Sequence, residues 1–291
     1  MDEELLKMKK GLIREQRKVS RAKVLRNKLV ISGFVMVFLV FLLAICAPLV
    51  YKGGAYEMNI SNRLAKPGAV GHILGTDTYG RDLLSRIAYG AQVSLRIGAT
   101  VTILSTFLGM VIGLYACYYK MLDNILMRIC DALNSVPAML LAIALVAVFG
   151  SSEINVIISM AIVYTPSVAR ITRSAALSVK EQTYIESMRA LGASNIRIIW
   201  GHIAPNILSP IIVQASFIFA KAIITEAALS FLGVGVPTPT PSLGNIINEG
   251  KTVINKAWWM IVFPGGITAF LVLGLNMVGD GLRDALDPHT K

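Results

Sequence analysis

Residues 29–50, LVISGFVMVFLVFLLAICAPLV, run for 22 positions without one charged side chain. Wound as an α-helix, this run is about 33 Å long, enough to cross a hydrocarbon core of about 30 Å. In lipid every backbone N–H and C=O must be satisfied internally, so such a run commits the chain to helices packed in a bilayer. The rest of the chain agrees. Of its 291 residues 55% are hydrophobic and 15% charged, well under the roughly 25% charged of a soluble domain. The expected fold class is an all-α integral membrane protein. The run is too long for the apolar core of a cleaved signal peptide, and no small-x-small cleavage site follows it.

Five further apolar stretches predict six transmembrane helices in all, at 29–50, 95–119, 136–150, 154–169, 207–232 and 258–279. Pro137 and Pro166 are expected to kink the third and fourth, and Trp258 and Trp259 to anchor the sixth at the outer interface. The chain then divides into a basic segment 1–28, a first helix 29–50, a segment 51–94 on the opposite side of the membrane, a five-helix core 95–282 and a tail 283–291. The formal net charge of +11 carries no aromatic-interleaved basic patch of the kind that binds nucleic acid. Its distribution is a topology signal instead. Of the 28 basic residues ten precede the first span, two lie between spans two and three, five between four and five, and two after the last. Seven fall in the alternate loops, and Arg96 and Lys221 in spans, so both termini are expected in the cytoplasm.

Two polar islands interrupt the apolar pattern. In the first, Asp77 and Arg81, then Asp82 and Arg86, stand at i, i+4 with Leu83, Leu84 and Ile87 on a neighbouring face. This spacing predicts a short amphipathic helix leading into span two, held by two surface ion pairs. The second, 184–206, reads YIESMRALGASNIRIIWGHIAPN. Tyr184, Met188 and Leu191 make one helical stripe, and Ile196, Ile199, Trp200 and Ile203 another. Gly192 separates them as a left-handed stop, Ser194 or Asn195 caps the second helix, and Pro205 ends it. Met188 with Leu191, and Ile196 with Trp200, are expected to bury against the membrane domain, leaving Glu186, Arg189 and Asn195 outward.

Catalytic and ligand sites fail on spacing. Gly250, Lys251 and Thr252 resemble the end of a phosphate loop, but Asn245 stands where that loop needs glycine. Cys46, Cys117 and Cys130 sit in or beside spans without metal spacing, and His72, His202 and His289 lie on separate segments. Ionisable groups inside spans are functional hypotheses by default. Lys221 and Glu226 in span five lie about 140° apart round a helix, so they do not pair; both are expected to reach the outer interface or a water-filled cavity. Glu226 is the pore or gate candidate.

Glu186, Gly192, Ile203 and Pro205 resemble the EAA loop of permease subunits of binding-protein-dependent ABC importers, a cytoplasmic loop that docks on an ATPase subunit. The family's opening Glu-Ala-Ala reads Glu186, Ser187, Met188 here. The resemblance implies that Arg189, Ala190, Leu191, Ala193 and Ser194 belong to the same ATPase-coupling loop, within 176–206. Gly75, Thr76, Asp77, Gly80, Arg81, Asp82, Ser85 and Arg86 are similar to the GTDxxGRDxxSR signature of C-type permeases from peptide and nickel importers. Residues 226–233, 236–244 and 279–288 resemble further signatures of that family.

Across 29–288 the resemblance implies a type I ABC importer permease fold and a non-catalytic subunit forming half of a path for di- or oligopeptides. It implies no cofactor on this chain, with ATP and Mg on two separate ATPase subunits or domains. The other implied partners are a homologous second permease, an extracytoplasmic peptide-binding protein and the lipid bilayer of a bacterial or archaeal plasma membrane. A nickel permease of the same family is the alternative. An ion-coupled secondary transporter is a further class, against which the scarcity of intramembrane acids counts, and a non-transporting scaffold leaves the proline-bearing spans unexplained.

Overall fold

The computed structural model describes residues 26–50, 55–69 and 71–286, so most of the basic segment and the last five residues of the tail lie outside the described residues. The chain is built of helices α1 (Lys28–Val50), α2 (Leu83–Tyr118), α3 (Lys120–Asn134), α4 (Ala138–Phe149) and α5 (Glu153–Lys180), followed by α6 (Thr183–Ala190), α7 (Asn195–Ile198), α8 (Ala204–Asn206), α9 (Leu208–Phe231), α10 (Leu243–Lys251) and α11 (Trp259–Leu286). Among the described residues α1, α2, α5, α9 and α11 are long and apolar enough to cross a membrane. The pair α3 and α4, bent by 94°, makes a sixth span if the two count as one.

The spine is α2, packed against α5, α9 and α1. Close approach is set by small residues: a Cβ on Gly113 would meet the Ala169 carbonyl and Thr172, and one on Gly33 of α1 the Gly274 carbonyl of α11. Without a hydrophobic drive between helices in lipid, such backbone-to-backbone fits are what hold spans together. Three buried apolar clusters follow. One joins α1, α2, α9, α10 and α11 around Leu83, Met260 and Leu271, a second joins α2, α4, α5 and α9 around Ile97 and Met160, and a third closes the far end of α2 around Leu114 and Ile199.

Span boundaries depart from expectation in four places. The short helix before span two does not exist separately, because Asp82 caps a single helix of 36 residues, about 54 Å long, that starts at Leu83. The segment expected outside the membrane to residue 94 therefore supplies the first three turns of α2. Residues 120–134, expected as a loop, form the amphipathic α3. Pro137 does not kink a span but occupies the N-cap of α4, whose 12 residues reach about 18 Å. A residue before proline is pushed out of the helical region, so the chain breaks at 135–137 and turns. Pro166, by contrast, lies inside α5, which runs on for 28 residues. Finally, Trp259 is buried and donates its indole N–H to the Thr76 carbonyl at 3.1 Å, leaving Trp258, 52% exposed, as the interface anchor.

Candidate functional site

At one end of α2 the 183–206 stretch folds into an elbow. Its first arm, α6, closes with the hydrogen bonds Gly192 N–H to Arg189 O at 2.9 Å and Ala193 N–H to Met188 O at 3.0 Å. This pairing is the Schellman motif, which needs a left-handed residue at its centre, and Gly192 has φ +78°. Ser194 takes the N-cap position of the second arm without a side-chain cap bond. Asn195 is engaged elsewhere, accepting from the Tyr118 hydroxyl at 2.6 Å. Pro205 does not end the second arm. The chain widens into a π turn at Ile199–Ile203 and continues through Pro205 in α8, since a wider turn upstream relieves the residue that has no N–H to give.

The buried face of the elbow is only partly the one that spacing suggested: Ile199 and Ile203 of the second stripe are buried, while Leu191 and Ile196 are not. Ile185, Ile198, Ile199 and Ile203 are buried against Leu114, Cys117, Ala176, Ile207 and Ile211. Each such side chain contributes about 1.5–3 kcal/mol over exposure to water. Leu191 and Ile196, expected to pack inward, are 87% and 66% exposed, and Tyr184 is exposed as well. Met188 and Trp200 are half-buried, while Glu186, Ser187, Arg189, Ala190, Ser194 and Pro205 are exposed and Ala193 is half-buried. The Ser187 hydroxyl turns back to the Thr183 carbonyl at 3.0 Å. Tyr118, at the last turn of α2, ties the elbow to the spine: Arg189 stacks 5.1 Å from its ring and Lys180 5.6 Å.

The other end of α2 carries a buried ion network. Asp77 accepts from Arg81 Nε and from Arg86 Nη1, both at 2.5 Å. Glu249 of α10 accepts from Arg81 Nη2 at 2.9 Å and from both terminal nitrogens of Arg86, at 2.5 and 2.9 Å. The expected Asp82–Arg86 ion pair is absent. Asp82 instead accepts from Ser85 N–H at 2.8 Å, capping α2, and pairs with His72 at 3.0 Å. The Asp77–Arg81 pair forms, but in a loop and out of water, so it is not a surface pair. Gly75 and Gly80 hold φ +82° and +73°, and a Cβ on either would collide with a carbonyl, of Ala65 and Asn59 respectively. Thr76 is buried, accepting from Ala65 N–H at 2.8 Å and donating to Asn62 O at 2.5 Å. The eight signature residues thus form one folded unit locked to α2 and α10. Glu249 was not anticipated; its only signal was an acid on the amphipathic 243–251 stretch.

Glu226 corrects another expectation. It opens on no surface of this chain: fully buried, it accepts from Ser94 Oγ at 2.6 Å and Ser230 Oγ at 2.9 Å, bonding α2 to α9. Lys221, one and a half turns away, is exposed. Among the described residues no cluster of His, Cys, Asp and Glu is placed to hold a metal ion.

Spanning helices gathered on one long helix, with a hinged and partly apolar elbow uncovered at its end, define a helical membrane protein. The chain belongs to the binding-protein-dependent transport system inner membrane component family, whose pattern matches residues 105–291. It is 44% identical over 267 residues to the dipeptide transport system permease protein DppC of Alkalihalophilus pseudofirmus, covering 91% of this chain and 88% of the relative. It is 39% identical over 268 residues to the glutathione transport system permease protein GsiD of Pectobacterium atrosepticum, covering 92% and 89%. In fold it is similar to a chain of the inward-facing MetNI methionine ABC transporter, with TM-score 0.54 and 20% identity over 69% of this chain and 97% of that one.

Proposed function

We propose that this chain is a peptide permease forming half of a translocation path, and that the 183–206 elbow receives the movement of an ATPase subunit seated against it. The observation that carries the reading is the two-sided elbow. Its isoleucines are anchored in the spine, its Gly192 corner is set by a left-handed backbone, and Leu191 and Ile196 stand uncovered beside Glu186 and Arg189. An apolar pair rimmed by charges fits the anatomy of a protein interface. Peptide as cargo is supported by relatives that carry dipeptide and glutathione in their names.

The basic-residue asymmetry supports an elbow in the cytoplasm and a network end, with 55–82 and α10, on the outer face. The partners of this reading are a homologous second permease, two ATPase subunits that hold ATP and Mg, and an extracytoplasmic binding protein that delivers peptide to the network end. Leu191→Asp and Ile196→Asp test it directly. Both variants should insert normally and lose the ATPase subunits on affinity purification, whereas Ile198→Asp, at a buried anchor, should fail to accumulate. Full retention of the ATPase subunits by Leu191→Asp/Ile196→Asp would refute the elbow as their seat.

A further inference from the structure

Among the described residues the charged side chains of α2, α5 and α9 have partners, with one exception near a helix centre. Arg96 pairs with Glu153, Arg173 with Asp123, Arg170 with Asp131, Glu226 with two serine hydroxyls, and Lys180 donates to the Cys117 carbonyl. Lys221 is exposed, and no acidic side chain among the described residues meets its ammonium. It lies about 20 Å from one end of the α9 helix Leu208–Phe231 and about 15 Å from the other. A lysine at that depth facing acyl chains costs about 2.5–3.5 kcal/mol or more, so its face of α9 belongs against water or a polar surface.

That face is polar and hollow. Gln214, Lys221 and Thr225 fall within about 60° of one another round α9, since seven and four residues each nearly complete whole turns. On the neighbouring α5 the Tyr164 hydroxyl bonds Thr225 Oγ1 at 2.7 Å and reaches the Lys221 carbonyl at 3.4 Å, and Gln214 donates to Ser167 Oγ at 3.4 Å. A groove of about 460 Å³ runs along the same side, lined by Pro210, Val213, Gln214 and Phe217 with Arg283 at its far end. Phe217 is one turn below Lys221. The groove therefore runs from the elbow end of α9 to within one turn of Lys221.

We propose that Lys221 binds the carboxylate of the transported peptide midway across the membrane, with Gln214, Ser167 and Tyr164 as the polar wall beside it. This rests on the peptide-import reading. A peptide's C-terminus is an anion that needs a counter-charge inside a low-dielectric path, and a lysine gives one on a flexible stem that can release its load. Arg283 at the groove's end supplies a second positive charge on the same route.

The test uses the complete complex in proteoliposomes with wild-type binding protein, and a labelled tripeptide either with a free C-terminus or as its C-terminal amide. Each variant's rate is divided by the wild-type rate on the same peptide, so the preference of the binding protein cancels. Lys221→Met should slow the free acid by about tenfold to a hundredfold, the loss of one charged hydrogen bond, and the amide far less. Lys221→Arg should keep most transport of both. Equal losses on the two peptides, or none, overturn the proposal.

A second arm needs no amide transport. Lys221→Cys, in a background with Cys46, Cys117 and Cys130 replaced by alanine, is treated with an ammonium-bearing or a sulfonate-bearing methanethiosulfonate. Recovery of transport with the first reagent alone supports the proposal. Absence of modification by either means that lipid or a partner side chain covers the position, and overturns it. A wild-type complex that moves neither peptide would instead remove the peptide-import reading.

Discussion

Arg86 and Glu249 are 163 positions apart in the chain, yet Arg86 grips both oxygens of the Glu249 carboxylate, Nη1 to Oε2 at 2.5 Å and Nη2 to Oε1 at 2.9 Å. The same Nη1 also reaches Asp77, so one buried guanidinium joins the 55–82 segment, α2 and α10. Two arginines against two acids leave the network neutral, and removing one member strands a charge out of water. Glu249→Ala should therefore destabilise the complex by about 3–5 kcal/mol. The double variant Arg86→Met/Glu249→Ala, which leaves Asp77 with Arg81, should recover part of that loss. Thermal unfolding in detergent reads both, and a Glu249→Ala protein as stable as wild type would show that the network is not a clamp.

Gly192→Val should insert normally but uncouple transport from ATP hydrolysis. Space is not the obstacle, because nothing lies within 4 Å of where a Cβ would stand. The cost is the backbone: φ +78° strains a β-branched residue by at least about 1–2 kcal/mol, which tilts one arm of the elbow against the other. ATPase and transport rates of the reconstituted variant check this, and wild-type transport would contradict it.

The side of the membrane on which each end lies follows from the basic-residue count and is measurable by thiol labelling. A membrane-impermeant reagent should modify a cysteine introduced at Thr240 in intact cells, and one at Ser194 only after permeabilisation. Labelling of Ser194→Cys in intact cells would invert the arrangement.

Gly33→Leu should detach α1 from α11. A Cβ at Gly33 would stand 2.5 Å from the Gly274 carbonyl, a backbone group that cannot step aside. Since α1 is mostly unburied by the rest of the chain, this seam is a large part of its attachment. Thermal unfolding in detergent should show the variant melting earlier than wild type, and equal melting would contradict the seam.

Much of this protein was determined locally. A charge-free run of 22 residues has few options in lipid, so the positions of α1, α5, α9 and α11 could be read from hydropathy to within a few residues or turns. Gly192 as a left-handed corner was legible too, because the Schellman motif is a contract among neighbours in sequence. What tertiary structure alone decided is which face of each element turns inward. Leu191 and Ile196 belong to apolar stripes yet stand outside, because the floor made by Leu114, Ala176 and Ile211 takes Ile185 and Ile198 beside the stripe residues Ile199 and Ile203. Periodicity names a stripe but not the surface that will cover it, and neighbouring stripes on a short helix differ by one residue.

Charges obeyed the same division. Spacing alone pairs Asp82 with Arg86, but the buried guanidinium took Glu249 from 163 residues away, and Asp82 became a helix cap. Glu226 and Lys221 looked alike in sequence, as lone ionisable groups in one span. Packing separated them: Ser94 and Ser230 close over the glutamate, and the lysine is left exposed. Long-range partners decide such cases because desolvation is settled by whatever the folded chain brings alongside, not by the residues next in line.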